Sequence, residues 1–62
     1  MTSEIKNAID WSLSQTVDYG DGVIINVTKK TRMALVDKVR EYFNENNIEY
    51  DTFSYDDLTP YL

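Results

Sequence analysis

Two stretches of the chain repeat apolar residues at the three- and four-residue spacing of an amphipathic helix. In the first stretch, residues 3–17, the apolar positions are Ile5, Ala8, Ile9, Leu13 and Val17. In the second, which begins after Thr28 or Thr31, they are Leu35, Val36, Val39, Tyr42 and Phe43. The polar residues 44–47 tolerate the left-handed conformation that often ends a helix, so the second helix should end there. The pattern predicts two helices that each bury one face.

Two shorter stretches have the composition of β-strands. Residues 23–27 are mainly β-branched and apolar on both faces, as in a central strand. Residues 48–55 alternate between apolar and polar side chains and predict a second strand. Glycine and aspartate in residues 18–22 predict a turn before the first strand. After the second strand, the chain can form one helical turn capped by Asp56.

A strand, a helix and a strand in succession form a βαβ unit, whose right-handed crossover makes the two strands parallel. The predicted element order is therefore α-β-α-β, in one small domain that spans residues 1–62. We assign it to the α/β class, with a small α+β fold as the alternative. Two strands leave a sheet edge unpaired, so we expect the chain to complete its sheet by forming a homo-oligomer.

The stretch from Val23 to Asp57 resembles the opening β-α-β of a glutaredoxin-like chain. The resemblance lies in the order of a strand, a Thr-Lys turn, a helix and an Ile-Glu-Tyr strand. Where that family has its redox Cys-x-x-Cys, this chain has threonine, arginine and methionine, so the resemblance implies no thiol chemistry. It implies a shared βαβ arrangement and not membership of the family.

The composition excludes several kinds of active site. The chain has 62 residues with neither cysteine nor histidine, which removes thiol nucleophiles, imidazole bases and the usual zinc sites. Paired carboxylates such as Asp56 and Asp57, or Glu49 and Asp51, remain, but so short a chain has no room for the cleft that glycosidase-like chemistry needs. We expect a protein that is not an enzyme and that has no cofactor and no metal site.

Charge divides the chain into a basic and an acidic part. Residues 29–40 carry five basic side chains and one acid, whereas residues 41–62 carry six acids and no base. The net charge of −5 opposes the approach of DNA or RNA to the basic cluster from Lys29 to Arg40. We therefore expect no nucleic-acid partner, with weak binding by this cluster kept as a minor alternative.

The acidic part interleaves carboxylates with large aromatic rings, a composition suited to docking on a protein with a basic surface. A solvated surface with some rings in the core is the simpler interpretation of the same residues. The candidate partner-binding residues are Trp11, Glu49, Asp51, Phe53, Tyr55, Asp56 and Asp57.

We expect a small acidic protein that binds and modulates another protein, most simply by inhibiting it. Its size and charge are common among phage-encoded and accessory inhibitors, an analogy and not a motif. The sequence shows neither a signal-peptide pattern nor an apolar run long enough to span a membrane, so we expect a cytoplasmic protein without membrane contact. Two alternatives remain: a nucleic-acid mimic that occupies a DNA- or RNA-binding groove, and a homo-oligomeric structural or assembly subunit.

Overall fold

The computed structural model describes residues 2–62, and their side chains from Ser3 onward. Its elements are helix α1 (Thr2–Ser12), strands β1 (Thr16–Asp18) and β2 (Ile24–Asn26), helix α2 (Arg32–Glu45), the short helix α3 (Tyr55–Leu58) and a 3-10 turn (Thr59–Tyr61). The two strands form an antiparallel sheet. The structure thus has the mixed α and β content that the sequence predicts, in a different order.

Helix α1 has the predicted buried face but ends earlier than predicted. Ala8 and Ile9 are almost completely buried, as the apolar spacing indicates. The helix ends at Ser12 because the next amides bond to carbonyls three and not four residues back: Ser14 donates to Trp11 at 3.1 Å and Gln15 donates to Ser12 at 3.0 Å. The hydroxyl of Ser14 also donates to the Trp11 carbonyl, at 2.7 Å, so that carbonyl is satisfied without further helix. The prediction that this helix extends to residue 17 was therefore wrong.

Residues beyond the end of α1 form a β-hairpin. Val17 lies in β1, where it is paired with Ile25 of β2. The chain reverses direction in residues 20–23, where the Val23 amide donates to the Gly20 carbonyl at 2.9 Å. Asp21 and Gly22 have φ angles of 52° and 78°, the left-handed conformations that a type I′ hairpin turn requires. The turn was predicted correctly, but the strand before it was missed.

The predicted βαβ unit is not formed. Residues 48–54 form no strand, and their rings at Tyr50 and Phe53 pack instead on Phe43 of α2. Pairing β2 with β1 through a short turn closes a smaller loop than a crossover through α2, so the local hairpin has the lower entropy cost. The α-β-α-β order and the parallel pairing were wrong, and so was the arrangement implied by the resemblance to glutaredoxin-like chains.

The first predicted strand exists, but it is not a central strand. Val23 is 50% exposed and Ile24 is 64% exposed, whereas only Val27, just after β2, is buried in the core. The core packs against only one face of the two-stranded hairpin. The apolar side chains on its other face are therefore exposed to solvent.

Helix α2 supplies most of the core. Of its five predicted apolar positions, four are buried and Tyr42 is half-buried. Among the described residues, the buried apolar cluster consists of Ala8, Ile9, Val27, Ala34, Leu35, Val36, Val39, Phe43 and Leu58. The left-handed conformation predicted at the end of α2 occurs at Asn47, with φ 56°. Neither α2 nor any other helix within residues 2–62 has the length and apolar character needed to cross a membrane.

The single helical turn predicted near the carboxyl terminus is present as α3, but its cap differs. Ser54, and not Asp56, is the N-cap residue. The carboxylate of Asp57 accepts a hydrogen bond from the Ser54 amide at 2.8 Å, as in a capping box. Pro60 lies inside the following 3-10 turn, where its missing N–H costs nothing.

Candidate functional site

The seven candidate residues do not form one surface. The structure places Phe53 and Tyr55 in a groove beside α2, Glu49 and Asp51 in an open depression, Asp56 and Asp57 in α3, and Trp11 in α1. A smaller cavity of about 140 Å³ brings Asp51, Phe53 and Asp57 together. Rings and carboxylates that alternate in the sequence are thus only partly neighbours in space.

The groove beside α2 has a volume of about 280 Å³. It is lined by Arg32, Met33, Val36, Asp37 and Arg40 of α2 and by Phe53, Ser54 and Tyr55. The α2 residues follow one another at spacings of one and three, which places them on one side of the helix. We call this feature the arginine–aromatic groove.

Each arginine of the groove lies over an aromatic ring. The Cζ atom of Arg32 is 5.2 Å from the centre of the Tyr55 ring, and that of Arg40 is 5.6 Å from the centre of the Phe53 ring. Both distances are within the range of a cation–π contact, which engages no N–H donor. The Arg40 side chain is 43% exposed. The Arg40 guanidinium also donates to the Phe53 carbonyl at 3.5 Å and pairs with Asp37 at 3.6 Å, so three contacts hold it in place. Arg32 has no ion pair or side-chain hydrogen bond among the described residues, so its N–H donors are the ones free to bind a partner.

The two rings are themselves fixed by contacts outside the groove. The Tyr55 hydroxyl donates to the Lys29 carbonyl at 2.7 Å. Phe53 makes edge-on contacts with Phe43 and Tyr50, at centroid distances of 5.9 Å and 5.6 Å. A surface ordered before binding loses less conformational entropy when a partner arrives.

Met33 is the most exposed large apolar residue described, with 77% of its surface accessible. A single exposed apolar side chain is ordinary on a small protein. Met33, however, lies beside two arginines and two aromatic rings, and these are the residue types enriched at protein interfaces. Its position favours contact with another protein.

All four predicted carboxylates are exposed, and Asp57 is the one that caps a backbone amide. We call the other three, Glu49, Asp51 and Asp56, the acidic surface. Within residues 2–62 the ion pairs are Lys38 with Glu41 and Arg40 with Asp37, so none involves these three. Glu49 and Asp51 also line an open depression of about 610 Å³. No cation of the described part of the chain therefore neutralises the acidic surface.

Two other candidates have intramolecular roles in the structure. The Asp57 carboxylate is engaged by the Ser54 amide at the start of α3. The Trp11 ring is half-buried and lies 5.8 Å from the ring of Tyr42, with the Lys38 ammonium 5.9 Å from its centre. Neither residue lines the arginine–aromatic groove. Their contacts indicate structural functions in helix capping and in α1–α2 packing.

The sequence analysis did not identify Arg32, Met33 and Arg40 as one site. It grouped the arginines with neighbouring lysines as a basic cluster, because they are close in sequence. The signal that was available is the spacing of Arg32, Val36 and Arg40, which repeats every four residues and so follows one face of α2. Comparisons with models of protein families, with curated proteins and with solved structures found no match for this chain.

Proposed function

We propose that this chain is a small non-enzymatic protein that binds and modulates another protein, and that the arginine–aromatic groove is its contact surface. The observation that supports this most is the combination of an exposed Met33 with two arginines held over aromatic rings. Arginine, methionine and aromatic residues are over-represented at protein interfaces, and arginine and tyrosine are frequent binding hot spots.

The shape and charge of the groove favour a protein partner over a small ligand. Its volume of about 280 Å³ suits one or two inserted side chains, and it is smaller than most small-molecule pockets, which are roughly 300–1,000 Å³. Two arginines and one aspartate give its lining a local charge of +1. We therefore propose a partner surface that inserts an apolar side chain beside Met33 and Phe53 and places carboxylates near Arg32 and Arg40.

Photo-crosslinking in cells that express this protein tests the proposal. A benzophenone amino acid in place of Met33 is expected to form a covalent adduct with a defined host protein. The same group in place of Asn7, an exposed residue of α1, serves as the control and is expected to form little adduct. Equal adduct formation from both positions, or none from position 33, would contradict the groove as the contact surface.

The acidic surface supports a second candidate, a partner with a basic surface. Glu49, Asp51 and Asp56 are exposed and have no paired cation within the described residues. Their field would steer a basic protein toward the chain, and a nucleic-acid mimic is the variant in which that protein normally binds DNA or RNA.

Amide substitutions distinguish the two candidates. The triple variant Glu49→Gln, Asp51→Asn and Asp56→Asn removes three charges and leaves Asp57, which caps α3, unchanged. If the acidic surface steers binding, association should slow about tenfold, and wild-type association should weaken steeply with added salt. If the groove alone makes the contact, we expect a change of less than about twofold. Stopped-flow measurement of the association rate at several salt concentrations gives the answer.

A further inference from the structure

The hydrogen bonds of the hairpin determine which main-chain groups face outward. The amide of Tyr19 donates to the carbonyl of Val23 at 2.9 Å, and that of Val27 donates to the carbonyl of Gln15 at 3.0 Å. In an antiparallel ladder, hydrogen-bonded residue pairs alternate with pairs that exchange no such bonds. The residue pairs adjacent to these two, on the inner side, therefore exchange no hydrogen bonds with each other. Their N–H and C=O groups point away from the other strand of the hairpin.

On β2 the residues of these inner pairs are Ile24 and Asn26, which are opposite Asp18 and Thr16. Both β2 residues are exposed, so an outer edge with two free N–H groups and two free C=O groups faces solvent. An edge of this kind is a template for pairing with another strand.

The outer edge of β2 lacks the features that usually prevent such pairing. Residues 23–27 contain no charged residue and no proline, and Val23 and Ile24 are at least half exposed. The edge of β1, in contrast, carries the charged side chain of Asp18. Edge strands are normally protected by charges or prolines, so β2 is the edge more open to pairing.

We propose that a second copy of this chain covers the edge, with the two β2 strands antiparallel about a two-fold axis. Ile24 of each copy would then be opposite Asn26 of the other, and the four free N–H groups would each find a carbonyl. The two Ile25 residues would face each other at the axis as a β-branched pair, and the two hairpins would form one four-stranded sheet. This inference does not depend on the function proposed for the groove.

Charge complementarity supports a second copy in this orientation. Asp18 of β1 lies opposite Ile24 at the start of β2, and Asp21 lies in the turn just before it. Lys29 and Lys30 follow the end of β2. The side chains of all four residues are exposed. Antiparallel pairing brings the acidic end of one copy to the basic end of the other, at both ends of the interface. Parallel pairing would bring like charges together, which is unfavourable.

Proline substitutions on the two edges test the inference. Asn26→Pro removes an outward N–H from β2 without removing a hairpin bond, and Thr16→Pro does the same on β1. Sedimentation equilibrium up to about 1 mM should show a monomer–dimer equilibrium for the wild type, which is weakened at least about tenfold by Asn26→Pro and little changed by Thr16→Pro. A wild-type chain that remains monomeric, or a dimer weakened only by Thr16→Pro, would overturn the inference.

Single cysteines test the register independently of the prolines, because the natural chain has no cysteine. Ile25→Cys places two thiols at the two-fold axis within the Cα separation that a disulfide allows, so mild oxidation should yield a covalent dimer. Val17→Cys, at the paired position of β1, is the control and should yield little. Equal dimer formation by both variants, in chains shown to be folded by circular dichroism, would overturn the proposed register.

Discussion

Replacing Phe43 with alanine is expected to lower the free energy of unfolding by about 3–5 kcal/mol. Phe43 is 3% exposed, and its ring lies 5.2 Å from that of Tyr50 and 5.9 Å from that of Phe53. These contacts hold residues 48–54, which have no strand partner, against α2. Because a domain of this size has a stability of only about 3–5 kcal/mol, the variant should be largely unfolded at 25 °C.

The matched control for Phe43→Ala is Met33→Ala on the same helix. Met33 is 77% exposed, so its truncation should change the free energy of unfolding by less than about 0.5 kcal/mol. Urea denaturation followed by circular dichroism measures both effects. A cooperative transition of Phe43→Ala close to that of the wild type would show that this ring is not central to the core.

Replacing Arg32 and Arg40 together with glutamine should weaken binding to the crosslinked partner about 10- to 100-fold, or roughly 1.4–2.7 kcal/mol. Glutamine has a helix propensity close to that of arginine, so α2 should remain intact. The substitution removes both positive charges and both contacts over the rings of Phe53 and Tyr55. Isothermal titration calorimetry gives the affinity of each variant.

Two further variants show which property of the arginines matters. Replacing Arg32 and Arg40 with lysine retains the charge but loses the planar group that lies over the rings, so we expect an intermediate affinity. Lys6→Gln removes one positive charge from an exposed site on α1 and should leave the affinity unchanged. An equal loss of affinity for Lys6→Gln would indicate that only net charge matters.

Patterns that depend on local spacing allowed much of the helical structure to be predicted. The buried faces at Ala8 and Ile9 and at Leu35, Val36, Val39 and Phe43 follow from helical periodicity. The alternation of residues 48–55 was misleading, because a strand forms only where another strand is available to pair with it. Here Val17, assigned to α1 by its spacing, is the residue that pairs with Ile25.

The candidate site was predicted only in part, for a similar reason. Phe53 and Tyr55 were chosen for their aromatic character next to carboxylates, and the structure does place both in a groove. Their neighbours there are Arg32 and Arg40, which are 13 or more residues away in the sequence. The contact between these rings and the arginines forms because residues 48–54 run back along α2 without forming a strand. No local sequence pattern predicts that path.

Chemical-shift mapping of the labelled protein with its crosslinked partner tests most directly whether the groove is the binding surface. We expect the largest amide shifts at Arg32, Met33, Arg40, Phe53 and Tyr55, with small changes in α1. Shifts confined to Glu49, Asp51 and Asp56 would instead assign binding to the acidic surface. Shifts confined to α1 around Trp11, with the groove residues unaffected, would contradict both the groove and the function proposed for it.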